Sequence, residues 1–258
     1  GREISSSLIK EELKKGNNAL KDSERESFLD WIDKALNAGL SFKVIIDECH
    51  QNFTENADAI IQLFKTDKII RCSATPIIDR HAKLIEVKEQ DVISQGLIKK
   101  LLVINENFPQ VIESDNQTNY LLEQGLNKQR SLKQAFIKIN KDINPLIVVQ
   151  LPNNSDLLIE QVETYFEGKG INYDNGTLAI WLSNRHENLD AITNNNSSVD
   201  AVIIKQAVAT GWDCPRAHIL VKLRENMDET FEVQTIGRIR RMPEAKHYND
   251  DLLDSCYL

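Results

Sequence analysis

The chain has 258 residues, 41% of them hydrophobic and 27% charged, with a formal net charge of −8. That length holds one large or two small domains with a full core, and the acidic balance excludes a non-specific electrostatic coat on nucleic acid. No window approaches the roughly 20 apolar residues of a membrane span, and the opening GREISSSLIKEELKK lacks the apolar centre of a signal peptide.

In chain order, residues 3–38 read as polar and helix-rich. Leu8, Ile9 and Leu13, then Phe28, Leu29, Ile32 and Leu36, recur at helical spacing, and Gly39 ends the second helix. The stretch KVIIDECH at 43–50 predicts a buried strand through the β-branched Val44, Ile45 and Ile46, ending in Asp47 and Glu48 with His50 two residues on. Residues 56–65 predict an amphipathic helix, with Ala57, Ile60, Ile61 and Phe64 on one side. Residues 68–72 predict the next strand, which runs into RCSATP at 71–76. Residues 84–87 read as one more strand.

Residues 88–116, punctuated by Gly96 and Pro109, read as part of a connection between lobes, with a short strand at 101–104. A long helix over about 119–140 follows, then a strand over 146–151 flanked by Pro145 and Pro152. A helix over about 155–168 and a strand over 177–182 come next. Residues 183–198 are polar and read as a surface loop. Residues 201–204 and 219–223 are buried strands, and 230–241 predict a helix. Strands alternating with helices predict parallel α/β lobes.

Four stretches carry chemistry. A parallel strand that delivers two acids at its C-terminal end, as KVIIDECH does, sets them in the ligand crevice of an α/β sheet. There one acid can hold Mg²⁺ and the other can orient a water for attack on a nucleoside triphosphate. In RCSATP, Ser73 and Thr75 can hydrogen-bond the acid motif or the inter-domain linker. In AVATGWDCPRAHILVKLRE, residues 207–225, Gly211 permits a tight turn and Asp213 sits on a loop just before an apolar strand. In QTIGRIRR, residues 234–241, a helix would set Gln234, Arg238 and Arg241 on one face. Two permanently charged planar donors on one face suit a phosphate. The four cysteines, Cys49, Cys72, Cys214 and Cys256, are widely spaced without a C-x-x-C pair, which argues against a zinc site and a disulfide framework and fits a reducing cytoplasm.

In this order the four stretches resemble the motifs of superfamily 2 helicases and translocases. Asp47, Glu48, Cys49 and His50 match the DExH box, and Ser73, Ala74 and Thr75 match the S-A-T motif. Gly211 and Asp213 match the motif before the last strands, and Gln234, Gly237, Arg238 and Arg241 match Q-x-x-G-R-x-x-R. GWDCPRAHILVKLRE followed by QTIGRIRRMPE, together with DVISQGLIKKLLVIN at 91–105, is similar to the motor subunit of type III restriction enzymes. The resemblance spans roughly residues 43–245. It implies two RecA-like parallel-sheet lobes, the first incomplete at its N-terminus: residues 1–87 as the C-terminal part of the first, 88–130 as the connection, 131–258 as the second. Half a sheet of this kind exposes an edge and an apolar face.

The resemblance also implies roles, with ATP and Mg²⁺ as cofactors. Asp47 would hold Mg²⁺, Glu48 would polarise the attacking water, and His50 would couple the nucleotide to the second lobe. Ser73 and Thr75 would connect hydrolysis to nucleic-acid grip. Gly211 and Asp213, with Gly237, would approach the nucleotide, Gln234 would hold a γ-phosphate oxygen or the water, and Arg238 and Arg241 would act as arginine fingers. DNA in duplex form is the implied substrate track, gripped by backbone amides and local cations drawn from Lys99, Lys100, Lys222, Arg224, Arg238, Arg240 and Arg241. A methyltransferase subunit is the implied partner. No G-x-x-x-x-G-K-[ST] string occurs in the sequence, so the resemblance implies a piece of a longer cytoplasmic protein, with the P-loop before residue 1 and a nuclease domain after Leu258. Two alternatives stand beside this reading: a DExH helicase of RNA or of DNA repair, and a non-catalytic module that binds DNA or a partner. Asp79 with Glu86-Val87-Lys88 imitates the D…E-x-K signature of nucleases, but follows directly on the S-A-T strand.

Overall fold

The structure, a computed structural model, describes residues 28–47, 49, 55–73, 81–106, 108, 117–152, 155–205, 212–223 and 235–258. The chain divides into two compact units, Gly1–Ile85 and Glu86–Leu258.

In the first unit, α1 (Phe28–Asn37) carries Asp30 in its first turn and Lys34 in its last, each on the side of the helix dipole that favours its charge. Its Ile32 and Ala35 are buried. Strand β1 (Val44–Ile46) pairs in parallel with β2 (Ile69–Arg71), Val44 opposite Ile69, and α2 (Glu55–Leu63) forms the crossover. Val44 and Ile46 line one small cavity with Ile60, Ile61 and Phe64 of the α2 segment. Phe42 stands at 5.8 Å from Trp31 and 5.2 Å from Phe64, ring centroid to centroid, and so ties the two helical segments together. The other face is open: Ile45 is 68% exposed and Ile70 54%. The expectation of a strand buried on both faces is therefore corrected. Two strands with one crossover helix cover a single face, because side chains alternate along a strand.

The second unit is built on a seven-stranded sheet. After α3 (Glu89–Ser94), its strands are β3 (Leu101–Val103), β4 (Leu146–Leu151), β5 (Leu178–Trp181), β6 (His186–Glu187), β7 (Ala201–Lys205), β8 (Ala217–Lys222) and β9 (Ser255–Tyr257), in the spatial order β3-β9-β8-β4-β7-β5-β6. All pairings are parallel except β5 with β6. Helices α4 (Gln117–Lys138) and α5 (Asp156–Glu167) pack on one face. Along β4, Ile147, Val149 and Leu151 join Leu126, Phe136, Val162 and Phe166 in that core. Leu146 and Val148 point the other way, into a second core with Val202, Leu220, Trp212 and Ile239. Parallel strands covered on both faces read as continuous apolar runs, which is why β4, β7 and β8 were visible in the sequence.

Two glycines are required by close approach. A Cβ on Gly125 of α4 would stand 2.8 Å from Val221 Cγ2, so glycine lets the helix lie directly on β8. Gly96, at φ +73°, turns the chain out of α3, and a Cβ there would stand 2.9 Å from Lys246 Cα.

Three expectations change. Residues 84–87 form no strand; Leu84, Ile85 and Val87 are 56%, 78% and 74% exposed. Residues 88–130 do more than connect, since β3 is an edge strand of the large sheet and α4 covers its core. The segment 183–198 contributes β6 and the buried Ile192. Strand β9, which the sequence reading passed over, is fully buried between β3 and β8. Among the described residues no helix is long and apolar enough to cross a membrane.

Phe136 is fully buried, edge-on to His218 at 5.5 Å and Tyr248 at 5.3 Å. Phe136→Ala is expected to lower stability by about 3–5 kcal/mol, read as a fall in the urea midpoint at unchanged slope.

Candidate functional site

At the C-terminal end of β1 and β2 the ladder continues beyond the strands. Cys72 N–H donates to Ile46 O at 2.8 Å and Cys49 N–H donates to Cys72 O at 3.0 Å. The backbone of Ile46 and of Cys49 is thus held to that of Cys72, which brings residues of two of the sequence motifs to one strand end. Asp47 is exposed, Ser73 half-buried and Cys49 buried. The exposed carboxylate of Asp47, at the C-terminal end of a parallel strand, is a hard oxygen ligand of the type that Mg²⁺ takes. Glu48, His50 and Thr75 lie outside the described residues.

In the second unit the other two motifs meet. Arg241 Nη1 is 2.6 Å from Asp213 Oδ1, with both side chains about half exposed. The segments that carry them are anchored from below. Trp212, next to Asp213, is buried with its ring edge-on to Trp181 at 6.4 Å, and Cys214 is buried on its other side. Ile239 sits in the same core, beneath the arginine segment. Buried apolar residues within two positions of each charged group, Trp212 and Cys214 beside Asp213 and Ile239 and Met242 about Arg241, therefore fix the height at which the charges stand above the sheet.

The arginine helix is shorter than the spacing predicted. The described helical residues are 235–239; Arg240 N–H still donates to Ile236 O, but Arg241 N–H turns to Arg238 O and Met242 N–H leaves for Leu97 O. Arg241 lies in an isolated antiparallel bridge with Ile98, so it does not share a helical face with Arg238. Pro243, which cannot extend a helix and constrains the residue before it, explains the early stop. Gln234 and Gly211 lie outside the described residues. Gly237 is exposed, and a Cβ built on it meets nothing within 4 Å. The fold itself thus makes no demand for glycine there.

The local cations separate by environment. Arg240 donates to Glu89 Oε1 at 2.7 Å, and that contact holds the Glu89 carboxyl below its ordinary range. Lys100 pairs with the fully buried Asp254 at 2.9 Å. Lys99 is completely buried, which corrects its reading as a strand-gripping cation. Two buried cations hold the Asp213 loop instead. Arg216 donates to Ile192 O, Asn144 O and Val199 O at 2.7, 2.7 and 2.9 Å. Lys99 reaches the carbonyl of Pro215 at 3.3 Å and of Ala217 at 3.2 Å. Neither was legible as a structural residue, because a lysine in a Lys-Lys pair and an arginine after proline read as surface. Burial pushes the Cys214 thiol up to about 11, against the lowering effect of Arg216. Glu86 and Lys88 of the nuclease-like triplet are exposed on an irregular segment, and Asp79 lies outside the described residues.

No family model matches the chain, and no curated protein matches it. Among solved structures it is similar to a variant of Dbp5 from S. cerevisiae bound to RNA and ADP BeF3, at 12% identity and a TM-score of 0.43, covering 83% of this chain and 56% of that one. It is also similar to a fragment of an HsdR subunit of a type I restriction enzyme from Vibrio vulnificus, at 18% identity and a TM-score of 0.45, covering 78% of this chain and 40% of that one. The chain thus spans about half the length of these structures.

Two outcomes are expected from the geometry. At pH 8 a thiol reagent should label the exposed Cys72 in the native protein, while Cys214 and Cys256 react only after unfolding; rapid native labelling of Cys214 would contradict its placement. Gly237→Ala should raise the thermal midpoint, because alanine gains about 1 kcal/mol over glycine in a helix.

Proposed function

We propose that the chain is the motor portion of an ATP-dependent DNA translocase of the type III restriction kind, which couples ATP hydrolysis to movement or switching on duplex DNA while cleavage is done elsewhere. The observation that carries the reading is the Asp213–Arg241 pair. Two stretches chosen separately from the sequence meet at the residues to which the resemblance gives nucleotide roles. An exposed pair of this kind contributes only about 0–1 kcal/mol to stability, so folding alone gives little reason for it. The parallel pairing that sets the Asp47 and Ser73 segments at one strand end supports the same reading from the first unit.

The residues divide the work by chemistry. ATP with Mg²⁺ supplies the transferable γ-phosphoryl group. Asp47 offers a carboxylate to the metal, directly or through a water, and Glu48 polarises the attacking water. Arg238 and Arg241 offer planar, permanently charged donors to phosphate oxygens. Gln234 offers an amide to the water or a γ-oxygen, and Asp213, with Gly211 and Gly237 leaving the backbone open, faces the ribose or the metal-bound phosphates. His50, Ser73 and Thr75 relay the nucleotide state to the nucleic-acid grip. Duplex DNA is the track, a methyltransferase subunit is the partner that reads sequence, and the protein works in the cytoplasm.

The test is ATP turnover by the full-length protein with duplex DNA, single strands, RNA or no nucleic acid. Strong stimulation by duplex DNA supports the reading, stimulation by RNA alone moves the protein to the RNA helicases, and no turnover under any condition leaves a binding module. Glu48→Gln is expected to abolish turnover while ATP binding persists. Arg238→Ala should lower kcat by about 10³-fold or more, the scale of a lost arginine finger.

A further inference from the structure

Lys99 is the largest fully buried side chain of the second unit after Arg216, and it carries a charge into a place where charge is costly. Its Nζ lies 2.6 Å from Arg241 O and 2.7 Å from Ile239 O, at the end of the arginine segment. The same Nζ lies 3.2 Å from Ala217 O and 3.3 Å from Pro215 O, on the chain that leaves Asp213 for β8. Three N–H groups serve four oxygens, so at least one is shared. The backbone N–H of Lys99 takes Arg240 O at 2.6 Å. One residue therefore satisfies the carbonyls of residues 239, 240 and 241, which a helix end leaves without partners, and brings a cation to the negative end of the helix dipole. Met242 N–H to Leu97 O at 3.0 Å and His247 Nε2 to Ile98 O at 2.8 Å close the zipper on either side.

We propose that Lys99 is a positioning residue for the nucleotide-facing edge of the second unit: its ammonium sets the register between the segment bearing Asp213 and the segment bearing Arg238 and Arg241. Among the described residues the two segments share no strand pairing that would do this. The Asp213–Arg241 contact is at the surface and contributes too little to fix them, whereas a buried amine hydrogen-bonded to carbonyls of both segments is fully desolvated, and losing it leaves those buried oxygens without a partner. Burial pulls the Lys99 amine down to about 7, while the neighbouring thiols of Cys256 and Cys214 act upward. The inference rests on the ATPase reading above.

The test is steady-state ATP turnover by the full-length protein carrying Lys99→Met, with Lys99→Gln as a second variant that keeps two N–H donors and carries the test if Lys99→Met does not fold. Misplacing a catalytic group by about 1 Å costs about 10²-fold, so kcat should fall about 10²-fold in Lys99→Met and about tenfold in Lys99→Gln. KM for ATP should stay within about threefold, because arginines that act mainly in the transition state contribute to kcat and not to ground-state binding. Amide hydrogen exchange should accelerate at residues 212–217 and 239–242 in the same variants, with β4 and β7 still protected. Wild-type kcat in the folded variants overturns the inference, as does faster exchange spread evenly over the sheet, which would mark a general core residue. A wild type that hydrolyses no ATP overturns the nucleotide reading itself, and the inference with it.

Discussion

Strand β4 is the constraint from which the second unit follows. It is hydrogen-bonded to β7 on one side and β8 on the other, and every one of its six residues is buried. With the backbone satisfied on both edges and apolar side chains on both faces, the sheet must be covered twice. Helices α4 and α5 do this on one face. On the other, the cover comes from irregular chain: Ile192 from the loop after β6, Trp212 and Cys214 before β8, and Ile239 from the arginine helix. The segments bearing Asp213 and Arg241 are part of the cover of the core, and that is why charged groups on loops stand in fixed places.

Covering a parallel sheet with loops creates a backbone problem, since carbonyl and amide groups go under apolar side chains without a ladder to pair them. Two buried cations solve it. Arg216 gathers the carbonyls of Asn144, Ile192 and Val199, and Lys99 gathers those of Pro215, Ala217, Ile239 and Arg241. Each cation is desolvated at a cost that only several oxygen partners offset. The planar fork of arginine suits three acceptors in a spread, whereas the compact ammonium suits a convergent cage. The arrangement links α3, the arginine segment and the start of β8 into one unit of structure.

The first unit presents a different balance. Its two parallel strands carry the acid motif and the S-A-T motif at one end, and a single helix covers one face. On the other face Ile45 and Ile70 are exposed. The local geometry at the strand ends is held by backbone hydrogen bonds that continue past the strands, from Cys72 N–H to Ile46 O and from Cys49 N–H to Cys72 O.

The sequence by itself determined what local chemistry dictates. Runs of β-branched and aliphatic residues announced β1, β2, β4, β5, β7 and β8, and helical spacing announced α2, α4 and α5. The short internal strand β9 was not legible, because Ser255-Cys256-Tyr257 has neither the length nor the period of a strand and becomes one only by filling the gap between β3 and β8. The bridge that takes Arg241 away from Arg238 was not legible either, because its partners, Leu97 and Ile98, lie far away in sequence. The burial of Lys99 and Arg216 belongs to the same class. A charged side chain is assigned to solvent by its type, and only the tertiary structure, by bringing several carbonyl oxygens to one point, makes the interior the better place for it.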